Sequence, residues 1–166
     1  MKTIICEKLP RIIKNKKKLE KELKIKISNR GKEVTIKGKP EEEYIAEKVI
    51  DALNFGFPFS TAMLIKKEDS LFEILNIKDY TKRKDLERIR ARIIGKGGKT
   101  LKTLCDLTKC NFEQKENHTG IIGHAECIEN AQNAIISIIK GSKQSNVYKG
   151  LEKNQVKEII DLGLKE

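Results

Sequence analysis

The sequence predicts an α+β chain of two tandem modules packed together, each reading strand, two short helices, two strands, helix (βααββα), with a degenerate loop in the first. Three observations carry that reading. Alternating and helical apolar periodicities follow one another in the same order in both halves. An offset of 85 positions lays Ile25 on Cys110, Ile27 on Phe112, Gly38 on Gly123, Ala46 on Ala131, Ile50 on Ile135 and Leu53 on Ile138, and one of 81 lays Ile12 and Ile13 on Ile93 and Ile94 and Leu23 on Leu104. Between its short helices the second half carries Gly95-Lys96-Gly97-Gly98, where the first half has Lys14-Asn15-Lys16-Lys17.

In chain order, "TIICEK" (Thr3 to Lys8) reads as the opening strand, followed by the two short helices that flank the lysine-rich loop. "KIKIS" (Lys24 to Ser28) and "EVTIKG" (Glu33 to Gly38) alternate apolar and polar residues around "NRGK", the pattern of a hairpin. Pro40 suits the first position of a helix, and Glu41, Glu42 and Glu43 favour the positive end of its dipole. That helix carries Tyr44, Ile45, Val49, Ala52 and Leu53 at helical spacing and ends near Gly56. Residues 1–56 thus form the first module, and 57–69 form a connector whose apolar content predicts packing and a short helix in its second part.

The second module covers 70–140. Its opening strand lies within "SLFEILNIK" (Ser70 to Lys78), and "DLERIRARII" (Asp85 to Ile94) reads as helix. After the glycine loop, Leu104, Cys105, Leu107 and Thr108 form the face of a second helix that packs on the sheet. "CNFEQKE" (Cys110 to Glu116), a turn at "NHTG" and "IIG" (Ile121 to Gly123) read as two strands, and a helix from about Ala125 to Lys140 closes the module. Residues 141–166 form a tail with a short helix.

The formal net charge of +11 suits a polyanion, either nucleic acid or an anionic membrane surface. No apolar run approaches a membrane span and the lysine-rich start lacks the apolar core of a signal peptide, so the expectation is a soluble, cytoplasmic protein. Cys6, Cys105, Cys110 and Cys127 form no C-x-x-C pair, and His118 and His124 do not stand at zinc-finger spacing from them, so no metal site is expected. Cys105 and Cys127 fall on apolar helical stripes and read as small buried hydrophobes.

"GGKT" (Gly97 to Thr100) supplies half of a phosphate-binding Walker loop, but the glycine that loop requires five residues before Gly98 is Ile93. A dinucleotide fingerprint beginning at Gly95 and Gly97 would require glycine at Thr100. The remaining device is G-x-x-G joining two short helices, in which bare main chain approaches phosphate without a Cβ in the way and the next helix points its free N–H groups at the same anion. Lys96 and Lys99 add charge. Between Lys82 and Lys102 nine lysines and arginines face only Asp85 and Glu87, and of these Arg92, Lys96 and Lys99 are the candidate contacts.

"IIGKGGKTLKTLCDLTKCNF" (Ile93 to Phe112) resembles the KH signature V-I-G-x-x-G-x-x-I-x-x-[LI] with its following threonine and apolar strand residue. The resemblance implies two type I KH modules and nominates Ile94 as a wall of the base-binding groove and Gly95, Lys96, Gly97, Gly98, Lys99 and Thr100 as the clamp on an RNA backbone. In the first module, lysines stand where both loop glycines belong, which predicts the fold without standard clamping. A degenerate unit before an intact one, with "KRKDLERIRARIIGKGGKT" between them and "GSKQSNVYKGLEK" after, resembles the partner-of-Nob (Pno, archaeal Dim-like) family of small-subunit ribosome assembly factors and its Krr relatives.

That family resemblance implies binding near the 3′ end of small-subunit ribosomal RNA, assistance in its maturation by a PIN-domain endonuclease, and contact with a translation initiation factor subunit. It implies no cofactor. The residues alone support an RNA clamp and leave two alternatives open: a general KH-type binder of single-stranded RNA or DNA, and a nucleotide-binding enzyme using "GGKT". No nucleophile, paired acid or metal set marks the chain as an enzyme.

Overall fold

The computed structural model describes residues 1–154. The chain divides into two compact units, Met1–Phe72 and Glu73–Glu166. In the first, the elements are β1 (Lys2–Ile5), α1 (Leu9–Lys14), α2 (Lys16–Leu23), β2 (Lys26–Arg30), β3 (Glu33–Lys37), α3 (Pro40–Phe55) and the one-turn α4 (Phe59–Ala62), which runs into a 3₁₀ turn at Met63–Lys66. The three strands form an antiparallel sheet in the order β1-β3-β2.

One face of that sheet is apolar because the period-two pattern puts Ile27, Val34 and Ile36 on the same side, where all three are buried. Ile12, Leu19 and Leu23 from the short helices and Ala46, Val49, Ile50 and Leu53 from α3 are buried too. Tyr44, read with that stripe from its spacing, turns outward instead, and the Lys48 ammonium one helical turn on lies 5.7 Å from its ring centroid. In the connector, Phe57, Ala62 and Ile65 are buried. The rings of Phe55, Phe57 and Phe72 make a mutual cluster with centroids 5.7–6.1 Å apart.

The second unit repeats the order. β4 (Ser70–Asn76) is followed by a 3₁₀ turn at Ile77–Asp79, α5 (Leu86–Ile94), a glycine turn at Lys96–Gly98, α6 (Lys99–Thr108), β5 (Asn111–Lys115), β6 (His118–His124), α7 (Ala125–Ile139) and α8 (Gln144–Lys153). The sheet order is β4-β6-β5, the counterpart of the first. Its core joins Ile77, Ile89, Ile93, Leu104, Ile121, Ile135, Ile138 and Ile139, with Val147 and Leu151 added from α8.

The duplication reaches the backbone. Lys24 and Lys109 both end the second short helix in the left-handed conformation, and Gly31 and Glu116 both take it at the hairpin turn, each pair 85 positions apart. A Cβ on Gly38 would meet the Ile25 side chain at 3.0 Å, and one on Gly123 would meet Sγ of the equivalent Cys110 at 2.4 Å. Both hairpins are tighter than their sequences predict. Arg30 pairs with Glu33 and Lys115 with His118, so each turn has two residues. Of "NHTG", only Asn117 lies in the turn. His118, Thr119 and Gly120 belong to β6, where the buried Thr119 hydroxyl donates to Oε1 of Gln114 (2.6 Å). The opening strand of the first unit is also shorter than predicted and stops at Ile5.

Candidate nucleic-acid interface

The loop between α5 and α6 is built from three glycines with positive φ: Gly95 (77°), Gly97 (63°) and Gly98 (78°). Gly95 combines that φ with ψ 170°, a region open essentially to glycine alone, and ends α5. A Cβ there would stand 2.1 Å from Oγ1 of Thr100, so the loop folds back onto the first turn of α6 with no room for a side chain. Gly97 and Gly98 differ. A Cβ on either would meet nothing within 4 Å, leaving their main chain open on the outer side. The Gly98 N–H donates to the Gly95 carbonyl (3.1 Å), closing the turn.

These positions divide the predicted site residues by role. Lys96 and Lys99 are exposed beside the open glycines. Thr100 is buried against Gly95 and supports the loop from inside. Ile93 is fully buried while its neighbour Ile94 is only half-buried at the last turn of α5, beside the loop. In the first unit the corresponding turn is a single residue, Asn15, with φ −103°, whose side-chain amide donates to the Arg11 carbonyl (2.8 Å). No glycine conformation is needed there, and exposed Lys17 and Lys18 follow.

Arg92 is committed to the protein. Its guanidinium donates from Nη1 to the Ile138 carbonyl (2.9 Å) and from Nη2 to the Ser142 carbonyl, while the Gln144 amide donates back to the Arg92 carbonyl (3.4 Å). The last turn of α5 is thereby tied to the corner between α7 and α8, which fixes where the glycine loop starts. Two other cations of the basic stretch are also engaged: Arg83 with Asp85, and Arg90, whose Nη1 donates to Oδ1 of Asn117 (3.1 Å). The Asn117 carbonyl accepts from the Ile77 N–H (2.8 Å), so this residue pins the β5–β6 turn to two elements. The sequence marks Asn117 as a turn residue and carries no signal for either bond.

Burial raises the thiol pKa of all four cysteines, that of Cys6 to about 11 and of Cys110 to about 12, so they stay protonated. No group of three or more histidine, cysteine or acidic side chains able to hold a metal occurs among the described residues. His124 instead caps α7, its Nδ1 accepting from the Glu126 N–H (3.2 Å). Among the described residues no helix is long and apolar enough to cross a membrane.

Residues 71–156 match a family model for the second KH domain of PNO1, described as a eukaryotic-type KH domain (KH-domain type I). Over 149 residues the chain is 28% identical to a KH domain-containing protein of Methanocaldococcus jannaschii, covering 86% of this chain and 66% of that one. It is 31% identical over 137 residues to the RNA-binding protein pno1 of Drosophila pseudoobscura pseudoobscura, covering 78% and 58% respectively. The aligned regions thus span less than two thirds of these relatives. Among solved structures, the a/eIF2alpha-aDim2p-rRNA complex from Pyrococcus horikoshii OT3 contains a chain that superposes with a TM-score of 0.83 at 28% identity over 92% of each chain. A matched segment that begins in β4 and takes in the G-x-x-G loop, both hairpin strands and α7 accounts for more than half of the sequence, and the chain belongs to the PNO1 family of KH-domain proteins.

Proposed function

We propose that this chain is an RNA-binding small-subunit ribosome assembly factor that holds single-stranded ribosomal RNA near its 3′ end and assists maturation without being an enzyme itself. The observation that carries the proposal is the loop Gly95–Gly98, with two glycines facing open space between exposed lysines at the start of α6. Main chain bare of Cβ atoms lets a sugar-phosphate backbone come close, and α6 points the positive end of its dipole at the same side of the loop. Ile94 forms one wall for the bases, Lys96 and Lys99 supply charge, and Gly95, Thr100 and Arg92 hold the clamp in shape.

The P. horikoshii complex supports ribosomal RNA as the ligand and a/eIF2alpha as the initiation factor subunit that binds this fold. A PIN-domain endonuclease, the partner that the family resemblance implies, is the proposed executor of the cleavage. The test is Gly97→Asp combined with Gly98→Asp, measured by binding to single-stranded RNA from the 3′ end of small-subunit ribosomal RNA and by circular dichroism. Affinity should drop while the fold is retained. Unchanged affinity would falsify the clamp.

A further inference from the structure

We infer that a second phosphate-binding pocket, formed by Lys78, Lys82 and Lys140 around Tyr80, receives the backbone of the same RNA strand beyond the glycine loop. This rests on the RNA-binding reading above. The pocket is an open concavity of ≈ 410 Å³ lined by Lys78, Asp79, Tyr80, Thr81, Lys82 and Lys140. Three lysines against one aspartate leave it cationic, and none of the three takes part in an ion pair among the described residues.

Two features separate this cluster from scattered surface lysines. Its Tyr80 is half-buried and packed against the core, and the Tyr80 N–H donates to the carbonyl of the fully buried Ile77 (3.1 Å). An aromatic side chain packed on the core and lining a cationic concavity suits a nucleotide, with phosphate on the ammonium groups and base or sugar against the ring. The pocket also shares an element with the support of the clamp, since Lys140 lies in the α7–α8 corner that Arg92 holds. Arg92 bonds the carbonyls of Ile138 and Ser142, which flank Lys140, and it lies one helical turn before Gly95. The inferred path takes a strand leaving the glycine loop past Arg92 to Lys140. As the C-cap of α7, Lys140 also serves the helix dipole, but Lys78 and Lys82 have no such duty.

The experiment compares RNAs of one sequence, about four and about ten nucleotides long, on the full chain, since a KH groove holds about four. The test variant is Lys78→Ala with Lys82→Ala and Lys140→Ala. The expected result is unchanged affinity for the short RNA, loss of about tenfold for the long one, and a salt dependence shallower by about two in the log-log slope. The corresponding triple Lys→Arg variant should bind both RNAs as the parent does. The inference is overturned if the alanine variant binds the long RNA normally, or if the parent binds both lengths equally. An acidic peptide that binds the parent but not the alanine variant, with long-RNA affinity unmoved, would assign the pocket to a protein and also overturn it. Failure of the parent to bind either RNA would instead remove the RNA-binding reading itself, and the pocket with it.

Discussion

Gly95 lies so close to Thr100 that a Cβ on the glycine would stand 2.1 Å from the threonine hydroxyl oxygen and 2.6 Å from its main-chain nitrogen. The loop that faces outward at Gly97 and Gly98 is therefore held by a contact facing inward. The glycines of one motif do two different jobs, and substitution should separate them.

Gly95→Ala should destabilise the second unit by about 3 kcal/mol, because it adds a clash with main chain to a backbone region that only glycine occupies. Gly98→Ala, with open space around it, should cost only about 1 kcal/mol of left-handed strain. Urea unfolding of the two variants checks this contrast, and equal costs would refute it.

Gly123→Ala should cost about 2 kcal/mol by overpacking, since its Cβ falls 2.4 Å from Sγ of Cys110. Adding Cys110→Ala should recover part of that loss. Gly38→Ala, with 3.0 Å to Ile25, should cost less. A double-mutant cycle measured by thermal unfolding reads out the coupling, and strict additivity would contradict the contact.

Arg92→Ala should lower stability by about 2 kcal/mol, because two charge-assisted bonds to the carbonyls of Ile138 and Ser142 disappear. Arg92→Lys should not restore it, as one ammonium does not reproduce the fork that spans both carbonyls. Denaturation midpoints of the two variants decide whether the side chain positions the loop.

Lys96→Ala and Lys99→Ala should each weaken single-stranded RNA binding uniformly across sequences and reduce the salt slope by about 0.7, the signature of one lost phosphate contact. Titrations at several salt concentrations measure it. A loss confined to one RNA sequence would assign these lysines to base recognition instead.

Cys6 and Cys110 have thiol pKa values pushed by burial to about 11 and about 12, above the ordinary 9.0. The unfolded chain releases these protons first, so the contribution to stability is whole below pH 9.0 and is lost as pH climbs through the folded values. Urea midpoints should fall as pH rises from 9.0 towards about 12, and less steeply in Cys110→Ala. Both thiols should resist alkylation in the native chain at about pH 8.

Much of the fold is legible because its signals are local. Period-two runs around Ile27 and Phe112, the 3.6-residue stripe Ala131–Ile135–Ile138 and proline at the start of α3 each act within a few residues. The hairpin turns were harder to read. "NRGK" and "NHTG" contain turn-forming residues throughout, and only pairing with the partner strand shows that two residues suffice in each. Tyr44 has the spacing of a core residue but lies outside, where Lys48 meets its ring.

The duplicated element order, the loss of the loop glycines in the first module and a glycine turn ringed by positive charge are all written in the sequence, since each is a pattern of neighbouring residues. Which cations of the basic stretch are tied to the protein follows from packing. Arg92 finds its carbonyl acceptors 46 and 50 residues away and Arg90 its partner 27 residues away, while Lys140 reaches the pocket of Tyr80 from the far end of α7. Contacts across such separations depend on how helices and strands pack, and no local periodicity records them.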